Sequence, residues 1–299
     1  MRAGPILIYV AGVAVFCVMD ALMKALVQTN PVVMASFWRY IFALPFIALF
    51  WWRDGRPPIT AAMLPVHAVR GLFIAASAAL FFLSLKLLPL AEAVTVAFVA
   101  PLMIPPLAAL LLGERLAPAS LIAGLVGFAG VLVAAAPADS SGLADRDRLL
   151  GVGAALTAAL TYAIQIVLLR KRAAADGPSV ISLLGAVLPA LYLLPLMLMT
   201  SAPAALLPAA HDLGLFAAAG LAGAVALQLI ARAYARAEAQ LLAPFEYTAL
   251  VWAALIGWVA FAEPVAPRTW AGAAIIALAC LWQARRQPVS APAPATPAA

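Results

Sequence analysis

LLLGERLAP, residues 110–118, sets a glycine, an acid, a base and a proline between two long apolar runs. The chain returns to this pattern as VAFAEPVAP at 259–267, where Glu263 and Pro267 occupy the slots of Glu114 and Pro118, 149 residues further on. A second set of matches runs at an offset of 146 and pairs Lys24 with Arg170, Lys86 with Arg232 and Glu92 with Glu238. The change of offset places about three extra residues near 244–247, close to one helical turn. One unit is therefore written twice, and the architecture follows from how many spans each copy holds.

Hydrophobic residues make up 67% of the 299 positions and charged residues 10%, with a mean hydropathy of +1.08. Soluble domains carry about 25% charged residues, so this chain has too little polar surface to cover a globule in water. A membrane-crossing helix needs about 20 apolar residues. Ten such runs occur, at 5–25, 33–52, 67–86, 91–112, 118–136, 150–170, 179–200, 213–232, 239–261 and 268–284. The alternation of an outer-membrane strand is absent, which leaves helices as the spanning element. The fold class expected is an all-α membrane protein of ten transmembrane helices, arranged as two five-helix repeats at 5–136 and 150–285. Because five is odd, the second copy enters from the opposite side, and the repeats are inverted. The Pro/Ala-rich end, 286–299, reads as a disordered tail. The first apolar run exceeds the 7–15 residues of a signal-peptide core and is taken as an uncleaved span.

With the first residue on the cytoplasmic side, twelve Lys and Arg fall in inner segments (Arg2, Arg53, Arg56, Arg70, Arg115, Arg170, Lys171, Arg172, Arg232, Arg236, Arg285 and Arg286) and four in outer ones (Lys86, Arg146, Arg148 and Arg268). That bias follows the positive-inside rule and places both termini in the cytoplasm of a bacterial inner membrane. The net charge of +6 is thus a property of span ends, and no nucleic-acid partner is expected.

LPLAEAVTVAFVAPLMIPPLAALLLGERLAP (88–118) and RAEAQLLAPFEYTALVWAALIGWVAFAEPVAP (236–267) both end in Gly/Ala-Glu-x-x-x-Pro before a last helix rich in small residues. This five-span unit, present twice, resembles the EamA family of the drug/metabolite transporter superfamily over about 5–285. One departure is Pro264, where the first copy has Arg115. The resemblance implies a secondary transporter with its substrate site where the halves meet. Among the solutes that the family carries, the ten-span bacterial layout looks most like exporters of amino acids and metabolites.

Charges within spans mark pathways or buried pairs. Asp20 and Lys24 share a face of the first span, and Arg39 lies at similar depth on the second. Together they are the candidate gating or coupling group, as an outer gate or a structural ion pair. Glu246 follows Pro244 in the ninth span. Proline removes a helix hydrogen bond, so a local break there would present Glu246 and Tyr247 to a cavity. Tyr162 and Gln165 on the sixth span, Ser77 and Phe81 on the third and Phe98 on the fourth complete the candidate substrate-binding set. His67 and His211, at span edges, are expected to be solvated. Glu114 and Glu263 are read as turn residues that complement the N–H groups of the proline-started helices after them. The glycines of GLVGFAG (124–130) are read as close-packing positions.

Cys17 and Cys280 lie inside spans with no CxxC or Cys/His spacing, and neither a metal nor a cofactor is expected. P-loop, HExxH and GxSxG motifs are absent, so an ATPase or hydrolase is not indicated. The function expected is export of small organic solutes, most directly amino acids including apolar and aromatic ones, by alternating access. Uptake of a nucleoside-like or vitamin-like metabolite is the alternative within transport, and a membrane-embedded enzyme or scaffold the alternative outside it. The expected partners are a small-molecule substrate and the lipid bilayer. A monomer is compatible with this reading, and the sequence assigns no oligomeric state.

Overall fold

A computed structural model of the chain describes residues 4–87, 96–114, 116–134, 145–201, 206–261 and 267–286. These form α1 (Gly4–Thr29), α2 (Val32–Arg53), α3 (Leu64–Leu87), α4 (Ala100–Leu112), α5 (Pro118–Ala134), α6 (Asp145–Asp176), α7 (Pro178–Thr200), α8 (Leu213–Tyr234), α9 (Ala239–Leu242), α10 (Thr248–Phe261) and α11 (Pro267–Arg286). A 3-10 turn at Ala210–Asp212 leads into α8, and another at Ala243–Tyr247 joins α9 to α10. No strand occurs among the described residues.

Among the described residues, six helices are long and apolar enough to cross a bilayer: α1, α2, α3, α6, α7, and α8 with the turn before it. The apolar helices at 100–112, 118–133 and 270–282 are shorter. Of the expected fourth span, 91–95 lies outside the described residues, and α4 begins at Ala100. The ninth is divided by Pro244, which cannot donate to the helix ladder. Pro45, Pro105, Pro106, Pro189 and Pro195 lie inside helices without ending them, as is tolerated where neighbouring helices satisfy the freed carbonyls.

The opening motif is a helix stop and restart. Gly113 takes φ +69°, and its N–H bonds to the Ala109 carbonyl at 3.1 Å. This left-handed cap suits glycine because it has no Cβ. Pro118 then opens α5, where a missing N–H costs nothing.

Packing runs mainly between the halves. α1 lies against α8 and α3 against α6; α2 packs on both α7 and α8; α3 also meets α7. α4 meets α6, α1 meets α10, and α5 lies along α11. Lipid tails are as apolar as leucine, so these contacts gain from close van der Waals fit and not from escaping water. Small residues supply that fit. A Cβ on Gly220 of α8 would sit 2.5 Å from the Phe42 backbone of α2, and one on Gly130 of α5 would sit 2.9 Å from the Gly272 carbonyl oxygen of α11. The buried side chains form two clusters at successive depths along α1. Tyr9, Val13 and Cys17 belong to one, with Tyr234 and Tyr247. Met19, Met23 and Leu26 belong to the other, with Phe37 and Phe216.

Candidate functional site

The break at Pro244 decides where the polar chemistry sits. α9 ends at Leu242, the chain tightens into the 3-10 turn, and α10 restarts at Thr248, whose hydroxyl donates to the Phe245 carbonyl at 2.6 Å. The Cys280 thiol lies 3.4 Å from the Pro244 oxygen, and the Cys17 thiol 3.6 Å from the Ala249 oxygen. Both cysteines are buried.

Glu246 leaves this turn toward α1, α6 and α8. The Tyr9 hydroxyl of α1 donates to Oε2 of its carboxylate, and the Tyr162 hydroxyl of α6 donates to Oε1. The hydroxyls of Tyr9 and Tyr234 of α8 lie 3.3 Å apart, with the two rings edge to face at 5.4 Å. Four elements from both halves thus converge on one carboxylate. Glu246 and Tyr162 remain partly exposed, whereas Tyr9 and Tyr234 are fully buried. Among the described residues no cation pairs with Glu246.

Tyr247 points the other way. Its ring fills the notch left by Gly127 of α5, where a Cβ would come within 2.5 Å of the ring, and it meets Phe98 edge to face at 6.0 Å. The Tyr247 hydroxyl and the Trp252 indole N–H are buried without a hydrogen-bond partner. Such orphan groups call for an explanation, and a bound solute is one.

On α1, Tyr9, Val13, Cys17 and Asp20 follow one another at helical spacing and share a face. The first three are buried, while Asp20 is exposed although atoms of the protein crowd around it. Arg39 lies within electrostatic reach of Asp20, but its own contacts differ from those expected. Its Nη1 approaches the Met19 sulfur at 3.1 Å, and its guanidinium lies 4.0 Å from the centroid of the Tyr40 ring. The Lys24 side chain lies outside the described residues, as does Glu263.

The face at which α1 begins is clamped by polar contacts, several of them between the halves. Glu114 pairs with Arg170 at 3.1 Å, and Arg170 also donates to the Tyr234 carbonyl at 2.8 Å. Asp176 accepts from Arg172 at 2.5 and 2.7 Å and pairs with His67 at 2.9 Å. Asp54 lies 3.9 Å from Arg232. At the opposite face, Asn30 donates to Asp212 at 2.8 Å, and Trp38 donates to the Leu206 carbonyl at 2.8 Å.

Several placements differ from the sequence expectation. Glu114 does not serve the helix that Pro118 opens. Its carboxylate reaches across to Arg170 and accepts the backbone N–H of Ala239 at the start of α9. Burial pushes this carboxyl above its ordinary range, and Arg170 opposes the shift. His67 is buried against Asp176, not solvated, while His211 is exposed. Ser77 donates to the Ala158 carbonyl at 3.2 Å, which fixes α3 to α6, and Phe81 packs against Phe82 in the second cluster. Gln165 is buried on α6, one turn from Tyr162. Two surface grooves, one of about 280 Å³ between α5 and α11 and one of about 240 Å³ between α2 and α8, lie away from Glu246.

Comparison with known proteins fits this arrangement. The model of the EamA-like transporter family matches the chain twice, at residues 3–136 and 149–284. The chain belongs to that family. Like the family's other members it is a multi-pass membrane protein that carries small molecules. It is 30% identical over 263 residues to a riboflavin transporter of Rhizobium johnstonii, covering 86% of this chain and 82% of that protein. It is 26% identical over 281 residues to a pseudopaline exporter of Pseudomonas aeruginosa, covering 94% and 95%. It is 24% identical over 251 residues to an S-adenosylmethionine uptake transporter of Rickettsia prowazekii, covering 83% and 81%. A protein of known crystal structure superimposes with a TM-score of 0.83 over 96% of this chain and all of its own, at 22% identity, a likeness of fold.

Proposed function

We propose that the chain is an inner-membrane secondary transporter that takes up a ring-bearing, vitamin-like or nucleoside-like metabolite by alternating access. The observation that carries this reading is the Glu246 site. A carboxylate held by Tyr9 and Tyr162 shares its turn with Tyr247, whose ring meets Phe98 on the other side, and the Tyr247 hydroxyl and the Trp252 indole N–H are buried without partners. A flat heteroaromatic solute offers ring faces to stack and edge groups to take these hydrogen bonds. The similarity to a protein named a riboflavin transporter supports this class of substrate. In this reading the five-helix halves are inverted copies with both termini in the cytoplasm. The pairing of α1 with α8 and of α3 with α6 supports it, because exchanging the halves turns one pair into the other. The polar clamp at the face where α1 begins then closes the cytoplasmic side, and Asp20 lines the way in from the other.

A second reading, export of amino acids, rests on a different observation. Asp20 and Arg39 lie within electrostatic reach of one another, and a zwitterion presents the complementary ammonium and carboxylate. The experiment that decides is flux into proteoliposomes with a panel of riboflavin, a nucleoside, leucine and phenylalanine. Saturable riboflavin or nucleoside uptake lost in Y162F/E246Q supports the first reading. Flux of the amino acids alone supports the second, and no flux of any of them sinks both.

A further inference from the structure

We propose that Glu246 is a proton site that couples transport to the proton gradient, binding one proton from the open side of the membrane and releasing it to the other. The inference deepens the transport reading and names what drives it.

Glu246 sits in a break within an apolar span, and a charged group at that depth is costly unless it is paired or neutralised. Among the described residues its partners are hydroxyls, one on each carboxylate oxygen. A hydroxyl can either donate or accept. The pocket can therefore hold both forms without moving a helix. Ionised Glu246 accepts from Tyr9 and Tyr162. Protonated Glu246 donates to one of them, and that tyrosine turns its hydrogen elsewhere. Tyr9 has somewhere to turn it, since the Tyr234 oxygen is 3.3 Å away. An arginine in place of either tyrosine would hold the acid permanently charged.

The titratable groups that face this carboxylate are consistent with the role. From α1 come Tyr9, Cys17 and Asp20, from α6 Tyr162, and from α8 Tyr234. Tyr247 lies in the same turn, with Cys280 of α11 beside it. Thiols and phenols are neutral through the physiological range. Asp20 is the remaining acid, exposed on α1 and within electrostatic reach of Arg39.

Tyr234 also connects the site to the cytoplasmic clamp. Its hydroxyl meets Tyr9, and its carbonyl accepts from Arg170, which pairs with Glu114. Proton occupancy at Glu246 changes which way the Tyr9 hydroxyl points and so bears on the end of α8 that the clamp holds. The step is balanced in protons. An O–H bond forms at a Glu246 oxygen with a proton from water on one side, and the same bond breaks to water on the other after the halves have rocked.

Two measurements test the proposal. The first needs no substrate. Infrared difference spectra of the purified protein between acidic and neutral pH contain a protonated-carboxyl stretch that is missing in E246Q and displaced in Y9F and Y162F. An E246Q spectrum with the full wild-type carboxyl signal overturns the proposal. Circular dichroism confirms that each variant retains its helix content, and the tyrosine variants decide if E246Q does not fold. The second is riboflavin flux in proteoliposomes, read as the ratio with and without an imposed gradient. One pH unit shifts wild-type accumulation by up to about tenfold for one proton per solute, and the ratio falls to one in E246Q. A ratio in E246Q equal to the wild-type ratio overturns the proposal. Absence of riboflavin flux in the wild type counts against the substrate reading alone, and the infrared result then decides the proton site.

Discussion

The fourth helical unit of each half teaches most when the two are set side by side. At the spacing that matches Glu114 with Glu263, Tyr247 falls on Phe98 and Glu246 on Ala97. Both units are interrupted at this level. A turn at Phe98 and Val99 precedes α4, and the 3-10 turn at Ala243–Tyr247 precedes α10. The two aromatic residues meet each other across the halves at 6.0 Å. The backbone device is thus duplicated while the chemistry is not. One half supplies an acid and the other a methyl group. The hydroxyls that receive the acid, Tyr9, Tyr162 and Tyr234, have no hydroxyl counterpart where a match can be read, since Phe16 stands opposite Tyr162 and Ala155 opposite Tyr9 at the offset of 146. A repeat gives a transporter its two alternative closures; the loss of symmetry at one carboxylate gives it a single site.

The largest expected effect comes from breaking that asymmetry. Glu246→Ala lowers flux by at least about tenfold, a loss of about 1.4 kcal/mol in the transport step. Adding Ala97→Glu to it restores nothing, because no tyrosine pair receives the new acid. Recovery of flux in the double variant would show that either half can host the site.

Next comes the clamp. Burial holds the Glu114 carboxyl above its ordinary value, so it takes up a proton at less acidic pH than an exposed glutamate does. The pairing with Arg170 is therefore complete at high pH and lost as pH falls through that raised value. Accessibility of a cysteine placed at position 236 to a membrane-impermeant thiol reagent, in protein freed of Cys17 and Cys280, rises as pH is lowered. In Glu114→Gln it is already raised at neutral pH. A flat pH profile in both proteins would remove the clamp from the closure.

A smaller effect sharpens the aromatic side of the comparison. Gly127→Ala puts a Cβ within 2.5 Å of the Tyr247 ring and destabilises the protein by about 1–3 kcal/mol through overpacking, seen as a lower melting temperature in detergent. On a Tyr247→Ala background, itself less stable, the same substitution costs little further. Tyr234→Phe has the least effect, about 1 kcal/mol or less, because it removes one long hydroxyl contact and keeps the ring. It is measured as a shift in apparent substrate affinity.

The sequence carried the outline of the fold well. Composition fixes the solvent, the echo of LLLGERLAP fixes the repeat, and Pro244 marks the division between α9 and α10. What it could not carry are contacts between residues far apart in the chain. Tyr9 was invisible as a site residue because a lone tyrosine near a span end reads as an interface anchor. Only the meeting of α1 with α8 and the turn before α10 shows its hydroxyl at a carboxylate. Tyr234 was missed for the same reason. His67 misled because a position near a helix start says nothing of the Asp176 that arrives from α6 to cover it. Ser77 misled because a hydroxyl in a span can serve a neighbouring backbone as readily as a solute. Gly113 ends one helix and Pro118 opens the next, as local glycine and proline chemistry dictates. The Glu114 carboxylate's destination was a matter of tertiary packing, and the local rule for helix starts pointed it at the wrong helix.

The interleaving of the halves has a consequence for how the chain is made. The main partner of α1 is α8 and that of α3 is α6, so the helices that leave the ribosome first have their mates still to be synthesised. The first five-helix unit must wait in the bilayer with small-residue faces uncovered until α11, which covers α5, has been added. During that interval the nascent protein is exposed to quality-control proteases. A chain truncated after Ala134 is expected to be degraded on its own and rescued when residues 145–286 are expressed beside it as a separate polypeptide.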